Sequence, residues 1–115
     1  MTSIVRFKVD ESMVAAFEGK VVHDVLSTFD LVYFSELAAR RLIEPYLEES
    51  EDAAGYEISL KHLSPTKRGE NVEIIATLKE LDGKRLTCVI DGTNESGIIC
   101  TGTHTQVLIR KGDLG

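Results

Sequence analysis

Apolar and polar residues alternate in this chain on two different periods, and each change of period marks the edge of an element. From Ile4 to Val9 they alternate singly, Val5, Phe7 and Val9 against Ile4, Arg6 and Lys8, as in a strand with one wet face. Residues 10–27 carry no regular pattern: Met13 to Phe17 reads as a short turn, Gly19 breaks it, and Val21-Val22 leads towards the next element. From Thr28 to Leu47 the spacing is helical, and the first half is apolar on nearly every side, which predicts a core helix. Ser27 or Thr28 is its N-cap, and Asp30 sits in the first turn against the positive end of the dipole.

The acidic run 48–52 and Gly55 read as a break before a strand over Tyr56 to Leu63, with Tyr56, Ile58, Leu60 and His62 on one face. Pro65 and Gly69 punctuate a loop, and Val72 to Leu81, Arg85 to Thr93 and Ile98 to Arg110 read as further strands, with turns at Asp82-Gly83 and Asn94 to Gly97. Four consecutive strands of this kind predict an antiparallel meander. The fold class is therefore α+β, one helix lying against a curved sheet, in a single domain spanning 1–115. A helix apolar all round needs cover on more than one side and a single sheet covers only one, so the rest must come from N-terminal residues or from a second subunit, which points to a homodimer.

Composition narrows the function classes. A net charge of −6 argues against coating nucleic acid, which takes clustered Lys and Arg. No apolar run reaches the ~20 residues of a membrane span, and the N-terminus lacks a signal-peptide layout, so no membrane partner and a cytoplasmic location are expected. Cys88 and Cys100 fall in strands whose register sets Cys100 opposite Asp91 or Gly92 instead of Cys88, so two buried, reduced thiols are expected.

Three polar groups stand out, each with a bland reading beside the chemical one. Thr28 can simply cap the helix, Glu36 can pair with Arg40 at i,i+4 on the surface, and His62 can be an ordinary core histidine. Glu36, however, has Val32, Tyr33, Leu37 and Ala39 for neighbours, where a carboxylate is costly unless paired or used. Together the three suit acyl transfer: a carboxylate and an imidazole activate water or attack a carbonyl, and a hydroxyl orients either partner. A backbone N–H beside Gly55 can bind the developing oxyanion, and a thioester suits so sparse a site because a thiol leaves readily. Lys67 and Arg68 in the loop, with Arg40, Arg41, Lys61, Lys84 and Arg85, can attract the phosphates of an anionic substrate, although an ordinary solvated surface explains at least half of these charges. His23-Asp24 and His104 show no metal-ligand spacing, so neither a metal nor a separate cofactor is expected.

The Thr28-Phe29 start with Glu36 eight residues on, Pro45-Tyr46-Leu47-Glu48, Gly55, Lys61-His62-Leu63-Ser64-Pro65, Gly69, Gly83-Lys84-Arg85-Leu86 and Gly102-Thr103-His104 share their joint spacing with a known family. Over roughly Val22 to Ile109 the sequence resembles the hot-dog-fold thioesterases, in the branch represented by fluoroacetyl-CoA thioesterase. The resemblance implies a helix wrapped by an antiparallel sheet, a dimer, and acyl-CoA sites at the interface. It also implies Thr28, Glu36 and His62 as the catalytic trio and Gly55 as a backbone donor. In that family the glutamate lies nearest the acyl carbon, histidine assists proton movement and threonine holds the network. Two positions depart from the fluoroacetyl specialist: Val22 stands in place of an aromatic gate and Gln106 in place of an arginine. The expected function is thus hydrolysis of a small or medium acyl-CoA with Glu36 as base or nucleophile. The alternatives are a non-catalytic acyl-CoA or small-ligand binding module and a hot-dog dehydratase or hydratase.

Overall fold

The single-residue alternation of the N-terminus is realised as strand β1 (Thr2–Lys8) in a computed structural model that describes residues 1–114. The unpatterned stretch after it folds as a 3-10 turn, Glu11–Met13, and a small hairpin of β2 (Val14–Phe17) and β3 (Lys20–Leu26). Sequence reasoning saw only a turn there. Helix α1 (Thr28–Ile43) follows, then β4 (Glu51–His62), β5 (Asn71–Asp82), β6 (Arg85–Asn94) and β7 (Gly97–Arg110).

The helix is shorter than its apolar spacing suggested. Pro45 has no N–H to donate to the carbonyl one turn back, so α-helix gives way to a 3-10 turn over Glu44–Tyr46. Ser27 takes the cap, its Oγ accepting from the Asp30 N–H at 3.0 Å, which leaves the Thr28 hydroxyl free for another partner. The inward stripe is Leu31, Ser35, Ala38, Ala39 and Leu42, at helical spacing. These residues pack on Val5, Val72, Ile74, Ala76, Ile90 and Ile99 from the sheet, and the two alanines permit a close approach. Within the single chain the other side of the helix stays uncovered. Phe29 is 82% and Tyr33 58% exposed, because the sheet covers one side only.

The sheet is antiparallel throughout, in the order β1-β5-β6-β7-β4. The expected four-strand meander is corrected to three: β4 does not pair with β5 but crosses to the far edge and pairs with β7. The loop carrying Pro65 and Gly69 makes that crossing, and the slot beside β5 goes to β1. Strand β4 also begins earlier than its alternation implies, at Glu51, with the residue pairs Glu51 to Arg110 and Gly55 to Gln106. A bulge after Gly55 leaves Tyr56 without an opposite residue and turns it outward, while Ile58, Leu60 and His62 stay half-buried as expected. Cys100 pairs with Gly92 and Cys88 with His104, so the two buried cysteines are free thiols. Among the described residues no helix is long and apolar enough to cross a membrane.

Candidate active site

The exposed side of α1 carries Thr28 near its start and Glu36 two turns later, and each is met by a different histidine. Thr28 Oγ1 lies 2.9 Å from His62 Nδ1 at the end of β4. His62 Nε2 is buried and has no hydrogen-bond partner among the described residues. Small side chains cluster around it: Val25, Leu63, Ser64 and Pro65 line a shallow hollow at this end of the molecule.

Glu36 stands at the mouth of a cavity of about 450 Å³ between the helix and the β4–β7 edge, walled by Phe29, Val32, Tyr33 and Leu37 on the helix and Ala53, Gly55, His104 and Gln106 on the strands. Its side chain is 55% exposed. A Cβ added to Gly55 would come within 3.3 Å of Glu36 Oε1, so the missing side chain lets the carboxylate settle against the strand. The other oxygen, Oε2, lies 3.6 Å from Nε2 of His104.

The i,i+4 surface pair of Glu36 with Arg40 does not form. Arg40 instead fastens the helix to the start of β4, through Asp52 at 2.8 Å and the Ala53 carbonyl at 2.8 Å, and reaches Glu44 at 3.4 Å. The imidazole of His104 is the basic side chain that approaches Glu36 within 4 Å.

Thr28 and His62 are thus brought together, and Glu36 and Gly55 are brought together, but the two pairs are separate within one chain. Eight residues of helix put Thr28 and Glu36 about 12 Å apart along the axis. Lys67 and Arg68 lie on the exposed β4–β5 loop at the Thr28 end: Lys67 bridges to Val25, and Arg68 forms an ion pair with Asp24. Among the described residues no group of three metal-ligating side chains occurs.

His104 is the site residue that sequence reasoning weighed only as a metal ligand. Counting by twos from buried Cys100 places His104 and Gln106 on the inward face of β7, and both are 2% exposed. Burial pushes the imidazole below its ordinary value, and the Glu36 charge works in the opposite direction. Gln106 donates from Nε2 to the Ala39 carbonyl at 2.9 Å, which ties the floor of the cavity to the helix.

Comparison with known proteins agrees with this architecture. A family model described as FlK, fluoroacetyl-CoA-specific thioesterase, matches residues 9–112. A fluoroacetyl-CoA thioesterase from Streptantibioticus cattleyicolor is 34% identical over 89 residues, 75% of this chain. The match spans 62% of that relative's own length. Among solved structures, a thioesterase superfamily member from Thermus thermophilus superposes with a TM-score of 0.95 at 30% identity, over 99% of this chain and 85% of that one. A variant of the fluoroacetyl-CoA-specific thioesterase FlK, in complex with fluoroacetate and CoA, superposes with a TM-score of 0.92 at 25% identity, over 100% of this chain and 97% of that one. The helix against its antiparallel sheet is a hot-dog fold. Matched by the family model over nearly its whole length, the chain belongs to the fluoroacetyl-CoA-specific thioesterase family.

Proposed function

We propose that the chain hydrolyses a small or medium acyl-CoA to the free acid and CoA, as a homodimer whose sites are shared between protomers. The observation that carries this reading is a half-exposed carboxylate, Glu36, seated against Gly55 at the mouth of an apolar cavity. The acyl group occupies the cavity among Phe29, Val32, Tyr33 and Leu37, where displaced water strengthens each remaining polar contact. Glu36 then attacks the thioester carbonyl or takes a proton from the water that does. Backbone N–H at Gly55 receives the developing oxyanion. The C–S bond breaks to release a thiolate, whose conjugate acid has a pKa of ~8.5, so departure needs only modest proton assistance; where Glu36 is the nucleophile, water then hydrolyses the mixed anhydride to free the acid and restore the carboxylate.

His62 supplies that assistance. Its Nδ1 and the Thr28 hydroxyl form the pair through which a proton is passed. Because the Thr28–His62 pair stands about two helical turns from Glu36 of its own chain, the trio is completed when the pair of one protomer faces the Glu36 cavity of its partner. The exposed aromatics Phe29 and Tyr33 on the same helix supply apolar surface for that association. Lys67 provides a cation for the CoA phosphates at this end, and Arg68 contributes while sharing its charge with Asp24.

Val22, 53% exposed on β3, offers no ring to close over a very small acyl group, and Gln106 offers an amide engaged elsewhere where the specialist has an arginine. A broader acyl preference than fluoroacetyl follows. Two reduced thiols and the acyl-CoA substrate fit a cytoplasmic setting. The test is incubation of the purified protein with short, medium and aromatic acyl-CoAs while free thiol is followed. Turnover of at least one class well above background supports the reading, and saturable binding without thiol release across the panel overturns it.

A further inference from the structure

We propose that His104 is a positioning residue for this reaction: its Nε2–H points at Glu36 Oε2 and holds the carboxylate so that Oε1 stays free at Gly55. The inference rests on the thioesterase reading of the site and assigns a role to a residue that the Thr28, Glu36 and His62 trio leaves unused.

Two observations and the chemistry of the ring carry it. The ring is buried on β7, yet it borders the cavity and reaches Glu36, so it links the sheet to the reacting group. Nδ1 is buried with no partner among the described residues. An ionised carboxylate only accepts, so a neutral ring facing Glu36 carries its single proton on Nε2. The unpartnered Nδ1 is then a bare lone pair, a smaller cost than a buried N–H with nothing to donate to.

The separation of 3.6 Å is longer than a formed hydrogen bond. Such contacts shorten when substrate displaces the water around a half-exposed carboxylate. Both oxygens lie against Gly55, at 3.3 Å for Oε1 and 3.6 Å for Oε2 from an added Cβ, and only Oε2 is placed near His104.

Among the described residues, Glu36 is the charged side chain that pairs with the ring, and the other groups around it are engaged elsewhere or neutral. On α1, Arg40 is committed to Asp52 and Glu44, and Tyr33 lies at the cavity wall. Across β6, Cys88 stands opposite His104, and burial raises its thiol above the ordinary value, which keeps it neutral. On β4 the opposite residue is Ile58, and the neighbouring Glu57 pairs with Thr105 and is exposed. Beside it on β7, Gln106 is held by the Ala39 carbonyl.

Ring nitrogen NMR of the intact protein tests the arrangement without any turnover. At neutral pH, His104 is expected to show a protonated Nε2 and an unprotonated Nδ1. In Glu36→Gln, which removes the charge that favours the imidazolium, His104 is expected to titrate at lower pH than in the wild type. A proton on Nδ1, or a titration unmoved by Glu36→Gln, overturns the proposal. Kinetics give the second arm. His104→Leu is expected to lower kcat roughly 10- to 100-fold with KM changed less than about threefold, while His104→Gln, which keeps a donor near Nε2, recovers to within about fivefold of wild type. Equal losses in the two variants also overturn it. A wild type that hydrolyses no acyl-CoA defeats the thioesterase reading instead, and the NMR arm then decides the His104 arrangement alone.

Discussion

At the scale of single residues the site is a matter of which neighbour answers which polar group. Ser27 caps the helix, so Thr28 reaches His62; Arg40 is drawn to Asp52, so Glu36 is left for His104. Glu36→Gln removes the carboxylate's nucleophilicity and basicity while keeping its shape, and kcat for acyl-CoA hydrolysis is expected to drop by about 10²- to 10⁴-fold, more if the carboxylate is the nucleophile. Gly55→Ala forces Glu36 to yield by a few tenths of an ångström. A displacement of that size costs roughly tenfold in kcat, with a melting temperature close to wild type; unchanged kinetics would show that the approach to the strand is incidental.

His104 also gives stability a pH dependence. Its folded value lies below the ordinary imidazole 6.5, so between the two the unfolded chain binds more protons. The contribution is complete above about 6.5 and is lost as pH falls towards the folded value. Thermal melts at pH 8 and pH 5 should therefore show a larger acid-side loss in wild type than in His104→Gln. The sequence singles out Thr28 by its place at the helix start, Glu36 by its apolar neighbours and His62 by its place on the inward face of a strand. His104 was missed because a buried polar residue on a strand looks, in sequence, like one of many alternating positions.

Among the elements, what sequence spacing makes local was legible and what depends on distant partners was not. The helix start, the Asp82-Gly83 turn and the Gly92 to Cys100 register all follow from nearby residues. The β2–β3 hairpin was invisible because its turn is Glu18-Gly19, with Glu18 at φ 52°, where glycine or asparagine is the usual signal, and because Phe17, Val21 and Val22 are all exposed and give no alternation. The pairing of β4 with β7 was missed for a related reason: no short turn announces a crossover to the far edge of a sheet.

That pairing is tight at Gly102, where an added Cβ would run into the backbone of Ser59. Gly102→Ala is expected to destabilise the fold by about 3 kcal/mol, read as a lower urea midpoint at unchanged slope, whereas a neutral outcome would mean that β4 shifts freely. The sheet core also shields both thiols. Burial, with Asp91 adding to it, pushes Cys100 up to about 11, so a thiol reagent should leave the native protein nearly untouched and label both cysteines only on unfolding.

For the whole molecule, the exposed side of the helix carries Thr28 and Glu36 about two turns apart, and the large side chains Phe29, Tyr33 and Tyr56 are exposed in the single chain. An antiparallel or crossed association of two such faces covers the aromatics and brings the Thr28 end of one helix towards the Glu36 region of the other. Under the proposed shared site, dimerisation and catalysis are one event. Subunit complementation measures this most directly. Glu36→Gln and His62→Ala proteins, each nearly inactive, are mixed and allowed to exchange subunits. Half of the dimers should be hybrids with one intact site each, so activity should rise to about a quarter of the wild-type value. Hybrids that form but stay as inactive as their parents would contradict the shared site and return Glu36 and His62 to a single chain.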